Sequence, residues 1–237
     1  YFLRVGITVE KLINAPHAVD NDRFSGDNDH YTQLANSLRS ENGIEPGAFV
    51  FLFAGKLEEK KDPLLLARAF TAANFQASTH LVIAGNGHLE ENLRSYCANH
   101  PRIHVLPFQN QSAMPALYRM ANVFVLPSKG PGETWGLAVN EAMASGVAIL
   151  MSDRCGGAPD LIKSGVNGYV FKAGDKSDLI EKMVRMSQNV ETTAEMGKQS
   201  RRLIQSFTFR AVADAIQSTV DTITKKKKLF HAQEGGQ

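Results

Sequence analysis

Glu133 and Glu141 stand eight residues apart, with Thr134-Trp135-Gly136-Leu137-Ala138-Val139-Asn140 between them. Before them runs a glycine-proline loop, Pro127-Ser128-Lys129-Gly130-Pro131-Gly132. After Gly136 the pattern turns apolar and helical. A helix that starts there leaves the amides of Gly136, Leu137 and Ala138 free to face an anion. Two carboxylates cannot serve that same anion. They suit hydroxyls instead, because an ionised carboxylate accepts from both members of a vicinal diol. A ribose fits Glu141 and a second sugar fits Glu133. The plainer readings are helix capping by Glu133 and a surface carboxylate at Glu141. A single glutamate on an otherwise apolar helix sits poorly with the second.

Cations stand nearby in the chain. Phe53-Ala54-Gly55-Lys56-Leu57 ends an apolar run, and Lys61-Asp62-Pro63 precedes a helical pattern. Glycine lets a ligand approach the backbone. Lys56 and Lys61, with the helix start, could hold a pyrophosphate, or could decorate a charged loop. Gly85-Asn86-Gly87 is a GxG turn whose third glycine position holds Glu90, so it reads as a tight strand-to-helix turn lining a cleft. Phe108 offers an apolar wall for a base, in a polar loop where Ser112 is placed to cap a helix. Ser152 to Asp160 reads as a flexible loop closing over the same crevice, with Asp160 in a first helical turn. The triplets Asp20-Asn21-Asp22 and Asp27-Asn28-Asp29 read as turn residues rather than metal ligands, and no metal site is expected.

These residues need strand ends to position them. Short continuous apolar runs occur at Phe49–Ala54, His80–Ala84, Ile103–Leu106, Val123–Leu126, Val147–Met151 and Gly168–Phe171. Continuous runs suit strands buried on both faces. Helical patterns alternate with them: Pro63–Ala73, Leu89–Asn99, Met114–Met120 and Gly136–Ala144. Ser177–Ser187, Thr193–Gln205 and Phe209–Thr224 follow as helices alone, before a frayed tail, His231–Gln237. The pattern predicts an α/β fold: a Rossmann-like, doubly wound parallel sheet with helices on both faces and extra C-terminal helices. Ligands then bind beyond the C-terminal strand ends.

Composition sets limits. The 237 residues are 43% hydrophobic and 21% charged, ordinary for a globular chain. The net charge of +2 rests on Lys225, Lys226, Lys227 and Lys228; without that run 22 basic residues face 24 acidic ones. Such a body argues against a nucleic-acid surface. The lysine run allows weak peripheral membrane contact, and its preferred reading is a solvated helix end. Cys97 and Cys155 form no metal or disulfide pattern, in keeping with a reducing cytoplasm. No apolar run reaches the roughly 20 residues of a spanning helix. The opening Tyr1-Phe2-Leu3-Arg4-Val5-Gly6 reads as the middle of a domain, so a missing N-terminal portion is expected.

Together the segments resemble the C-terminal domain of group 1 (family 4) retaining glycosyltransferases of the GT-B fold. Asn14-Ala15-Pro16-His17-Ala18-Val19-Asp20, with Arg23-Phe24, is similar to the family's interdomain segment. Gly55-Lys56 followed by Lys61 resembles its phosphate-binding stretch, with lysine at position 56 where arginine is frequent. Lysine there forfeits the planar guanidinium fork. Glu133 to Glu141 matches its paired-glutamate motif, and Gly165-Val166-Asn167-Gly168-Tyr169-Val170-Phe171 its later glycine turn.

The resemblance implies roles. Gly55, Lys56, Lys61, Gly136 and Leu137 would bind the donor diphosphate. Glu141 would hold ribose and Glu133 the transferred sugar, with Glu133 and Lys61 as the catalytic pair. Phe108 and Met114 would lie near the base. The substrate would be a nucleoside-diphosphate sugar, with no cofactor and no obligate metal. Attack would come from the front face, with retention. Residues 1–25 would be an interdomain linker and first elements, 26–207 the nucleotide-sugar-binding domain, and 208–237 a C-terminal helix and tail. These make one structural domain, whose acceptor-binding N-terminal partner is absent, and the isolated chain would be inactive. The location would be cytoplasmic, reaching the inner membrane surface. The competing readings are a non-catalytic nucleotide-sugar-binding module, another GT-B relative such as a phosphorylase or epimerase, and an NAD-dependent oxidoreductase.

Overall fold

Six runs of branched and aromatic residues form strands because both faces of each are covered. They are β1 (Phe49–Ala54), β2 (Thr79–Ala84), β3 (Ile103–Leu106), β4 (Val123–Leu126), β5 (Ala148–Ser152) and β6 (Gly168–Phe171). The computed structural model describes residues 2–26, 28–130 and 132–234, without the side chains of 28 and 225–234. The second aspartate triplet therefore falls partly outside the described residues, at Asp27, as do Pro131 and the side chains of Lys225 to Lys228.

The chain forms two compact units, one of residues 20–205 and one of residues 1–19 with 206–237. In the larger unit all strand pairs are parallel, in the order β3-β2-β1-β4-β5-β6. Register at the centre sets Phe51 against Val123 and Leu52 against Phe124. The helices of this unit are α1 (Asn21–Ser25), α2 (Asn28–Glu41), α3 (Pro63–Ala72), α4 (Glu90–Cys97), α5 (Met114–Arg119), α6 (Leu137–Ala144), α7 (Ala158–Leu161), α8 (Lys176–Gln188) and α9 (Val190–Ile204). The expected Rossmann-like doubly wound sheet is present.

Alternate strand residues divide between the two faces. Phe51, Phe53, Leu81 and Ile83 join Leu66, Phe70 and Met183 in one core. Leu52, Val82 and Phe124 are equally buried but lie outside that cluster. Each fully buried phenylalanine or leucine contributes about 1.5–3 kcal/mol. Strand bounds differ from the sequence reading by one residue at β2 and β5. The helix α2 was not foreseen, because it is mostly polar and Leu34 on it stays 41% exposed. It is fastened through Arg39, which donates to the carbonyls of Met120 at 2.8 Å and Ala48 at 3.1 Å.

The smaller unit holds a long helix, α10 (Phe209–Glu234), and two short 3-10 turns, Phe2–Val5 and Val9–Lys11. The hydroxyl of Thr208 accepts from the Ala211 amide at 3.0 Å and starts α10. The helix continues ten residues past the expected Thr224 and takes in part of the tail read as frayed. Among the described residues no helix is long and apolar enough to cross a membrane.

Candidate functional site

The strand order reverses between β1 and β4. Chain segments leaving those strands diverge, and a crevice opens beyond their C-terminal ends. A cavity of about 380 Å³ lies there. Its floor is the ends of β1 and β2, at Gly55, Lys56, Gly85 and Asn86. One wall carries Phe108 and Gln111 of the β3 loop with Met114 and Tyr118 of α5; the other is Leu137, Ala138 and Glu141 of α6.

The floor depends on glycine. At Gly85 φ is +154°, and a Cβ would fall 1.9 Å from the Gly55 carbonyl oxygen. Backbone bonds knit the two turns, from Gly55 N to Ala84 O at 3.0 Å and from Leu57 N to Asn86 O at 2.8 Å. The GxG segment is thus the tight turn read from the sequence, and it does line the cleft.

Gly136 makes the start of α6 possible. Its φ is +99°, a left-handed conformation that other residues adopt at a cost. The Val139 amide donates to the Gly136 carbonyl at 2.8 Å, and among the described residues no side chain caps the helix. The first amides therefore face outward with the positive end of the helix dipole. Leu137, in the first turn, is 47% exposed. Glu133 does not cap this helix, which removes one of the plain alternatives.

Glu141 lies further along α6 and is no surface carboxylate. It accepts from the Tyr118 hydroxyl at 2.7 Å. Burial raises its pKa, while hydrogen bonds from Tyr118 and Gln111 and the charge of Arg23 work the other way. The Tyr118 phenol is pushed well above the ordinary range, first by burial and then by the Glu141 charge, so it remains a donor.

Glu133 sits in a second cluster. Lys61 ion-pairs with its carboxylate, and the Ser128 hydroxyl donates to the same oxygen at 3.1 Å. The loop before it is tied down by the Lys129 amide, which donates to the Lys60 carbonyl at 2.9 Å. From the other side the amides of Gly156 and Gly157 donate to the carbonyls of Glu133 at 2.9 Å and Trp135 at 3.1 Å. The β5 loop, read as flexible, is therefore pinned to the Glu133 segment. Asp160 is in the first turn of α7, as read.

The structure thus brings Gly55, Lys56, Phe108, Met114, Leu137 and Glu141 around one cavity. Lys61 and Glu133 meet each other but do not line that cavity. Lys56 and Lys61 stand apart: Lys56 lies at the cavity and Lys61 is paired with Glu133. Phe108 is 64% exposed and forms a rim more than a wall. Ser112 does not cap α5, whose cap position is Ala113; Asn110 holds the turn before it, its side-chain oxygen accepting from the Ala113 amide at 3.1 Å and the Ser112 hydroxyl at 2.6 Å. Asp20 caps α1 by accepting from the Arg23 amide at 3.1 Å, and Asn21 and Asp22 open that helix instead of lying in a turn.

Tyr118, Gln111, Ser128 and Arg23 were missed as site residues. Tyr118 was findable, since it follows Met114 by four positions on one helix and so shares its face.

Comparison with known proteins follows this geometry. Residues 35–203 match the family model described as glycosyl transferases group 1. The sulfoquinovosyl transferase SQD2 of Arabidopsis thaliana is 28% identical over 203 residues, covering 84% of this chain and 38% of its own. A D-inositol 3-phosphate glycosyltransferase of Pseudarthrobacter chlorophenolicus is 27% identical, covering 81% of this chain and 46% of its own. The chain therefore spans less than half the length of these two relatives. Among solved structures, Anabaena HepE in complex with UDP has a TM-score of 0.75 at 20% identity, over 94% of this chain and 60% of that one. The C-terminal domain of the group 1 glycosyl transferase LpcC from Francisella tularensis has a TM-score of 0.66 at 18% identity, and 99% of that chain is covered. These structures share the fold of the sheet and its helices. With the family model matched across most of the larger unit, the chain belongs to the group 1 glycosyltransferases.

Proposed function

We propose that this chain is the donor-binding half of a glycosyltransferase that moves a sugar from a nucleoside diphosphate with retention of configuration. The observation that carries the reading is the cavity at the strand-order reversal, with Glu141 in its wall and the uncapped start of α6 beside it. Glu141 accepts the ribose hydroxyls, and the base lies between Met114 and Phe108. The diphosphate runs from Gly55 and Lys56 to the amides at Gly136 and Leu137, where helix dipole and cations offset its charge. Lys61 joins it on leaving Glu133, and Glu133 turns to the sugar.

In the reaction the bond from the anomeric carbon to the diphosphate oxygen breaks. An acceptor oxygen bonds to the same face of that carbon, and its proton passes to the departing diphosphate. Lys61, Lys56 and the α6 amides hold the negative charge that develops on the leaving group. The acceptor and much of the remaining machinery belong to a further domain, so the isolated chain binds donor without transferring sugar. HepE, the structural neighbour, was solved with UDP and with UDP-glucose, which makes uridine the base to test first.

The test is calorimetric titration of the chain with UDP, GDP, ADP and NAD. Saturable binding of one nucleoside diphosphate, weakened about tenfold or more in Lys61→Ala, supports the reading. Preference for NAD, or sugar transfer by the isolated chain, overturns it in its respective part.

A further inference from the structure

We propose that Tyr118 is a positioning residue for nucleotide binding: its hydroxyl fixes the Glu141 carboxylate in the orientation from which it accepts the ribose hydroxyls. The inference rests on the reading of Glu141 as ribose acceptor.

The phenol is held from several sides. Tyr118 is fully buried. Its ring packs edge-on against Phe24 at 6.0 Å and against Phe124 at 5.5 Å. Phe124 belongs to β4, so the sheet itself sets where the hydroxyl points. That hydroxyl is 2.7 Å from Oε2 of Glu141. A glutamate on a helix otherwise has three side-chain torsions to order on binding. Ordering them beforehand lowers the cost of binding. A carboxylate has about four acceptor positions. Tyr118 takes one of them and directs the rest.

The loop side is braced as well. Gln111, on the β3 loop, lines the same cavity as Glu141 and helps to lower its pKa. Arg23 donates to the Gln111 carbonyl, and its guanidinium lies 5.5 Å from the Phe24 ring centre. Phe24 is the ring that packs on Tyr118. Tyr118 thus bonds a carboxylate in the wall of a cleft, with Phe24 and Phe124 bracing its ring and Arg23 tying Phe24 to the β3 loop. A purely structural role explains this less well. Removing a half-buried charge together with its partner is often neutral or stabilising, so nothing in packing alone asks for a carboxylate here.

The experiment titrates UDP and 2′,3′-dideoxy-UDP into the chain and into its Tyr118→Phe, Glu141→Gln and doubly substituted forms, across a range of pH. Phenylalanine keeps the ring contacts, so the thermal midpoint of Tyr118→Phe serves as the folding control. Tyr118→Phe weakens UDP about 5- to 10-fold and leaves dideoxy-UDP unchanged. Because the Tyr118 bond lowers the Glu141 pKa, its loss moves the acid limb of UDP binding to higher pH. In the Glu141→Gln background the tyrosine substitution adds little. Equal weakening of both nucleotides, or full additivity, makes Tyr118 a packing residue and overturns the proposal. If Glu141→Gln weakens UDP while Tyr118→Phe shifts neither affinity nor acid limb, the proposal fails and the ribose reading stands. If Glu141→Gln changes nothing, or the unaltered chain binds none of UDP, GDP and ADP, both fall together; a chain that prefers GDP or ADP is titrated with that nucleotide and its dideoxy form instead.

Discussion

Lys61 and Glu133, separated by 72 positions in the chain, close an ion pair at which the Ser128 hydroxyl also arrives. Their side chains are 19% and 10% exposed. Screening by water is therefore weaker than at a surface pair, and breaking one partner leaves the other charge poorly solvated. A donor diphosphate must compete for the lysine that Glu133 already holds.

That competition fixes the signs of two substitutions. Lys61→Ala removes a charged donor from the diphosphate and should weaken nucleoside diphosphate binding by about 1.5–3 kcal/mol. Glu133→Gln frees the lysine and should leave the affinity for UDP equal or higher, while reducing any preference for UDP-sugar over UDP. Titration of both ligands into both variants checks this. A loss of UDP affinity in Glu133→Gln as large as that in Lys61→Ala would mean that the carboxylate serves the nucleotide and not the sugar.

The floor of the cleft offers a steric prediction. At Gly85 a Cβ would meet the Gly55 carbonyl oxygen at 1.9 Å, whereas at Gly43, also at positive φ, nothing lies within 4 Å. Gly43→Ala should cost about 1 kcal/mol, the price of a left-handed non-glycine residue. Gly85→Ala must in addition push the two turns apart, so it should cost more than about 3 kcal/mol and abolish nucleotide binding. Denaturant unfolding of the two variants measures both. Equal destabilisation would show that the turns are not in contact.

Much of this was readable in the sequence, and the reason is local. Phe49–Ala54 and Val123–Leu126 are continuous apolar runs, and continuity already implies burial on both faces. Gly136 followed by Leu137 and Ala138 signals an uncapped helix start in its own immediate neighbours. What escaped reading joins distant segments. Tyr118 meets Glu141 across two elements, and Lys61 chooses Glu133 over the company of Lys56. The turn before α5 is held by Asn110 instead of Ser112 because both side chains can bond a nearby amide and only the loop path decides. The helix α2 was missed because much of its hold on the body is polar, with Arg39 reaching two carbonyls and Arg119 stacking on Tyr31, and the small Ala35 gives little apolar pattern.

A single tryptophan makes the site observable. Trp135 lies between Glu133 and α6, and its indole N–H donates at 2.9 Å to the side chain of Asn140, which is fully buried. Because Gly157 packs on the indole and donates to its carbonyl, movement of the Glu133 loop on donor binding must alter its surroundings. UDP-sugar should change Trp135 emission with the same saturation curve as calorimetry, and Lys61→Ala should shift both to the same higher concentration. A calorimetric signal without any fluorescence change would show that donor leaves the Glu133 loop in place.

Far from the cleft, at the opposite end of the strands, a histidine pair sets a pH dependence of stability. His80 Nδ1 and His104 Nε2 are 2.9 Å apart with stacked rings, and His80 Nε2 is 2.9 Å from Glu45. One of the two facing nitrogens must lack a proton for that bond to exist. Burial lowers the His104 pKa, and His80 beside it adds to the effect. Glu45 is held down to about 2, chiefly by the Ser78 hydroxyl and its own backbone amide, with His80 contributing less. A histidine whose folded pKa lies below its unfolded value binds fewer protons folded than unfolded. Its contribution is therefore complete above the ordinary histidine range and is lost as pH falls through the folded value. Glu45 acts in the same sense but lower, below the ordinary carboxylate range. The thermal midpoint should thus decline between about pH 7.5 and pH 5.5, and the decline should flatten in His104→Gln, which can still donate to His80 but does not titrate. Equal slopes for the two proteins would place the pH dependence elsewhere and leave the pair as packing alone.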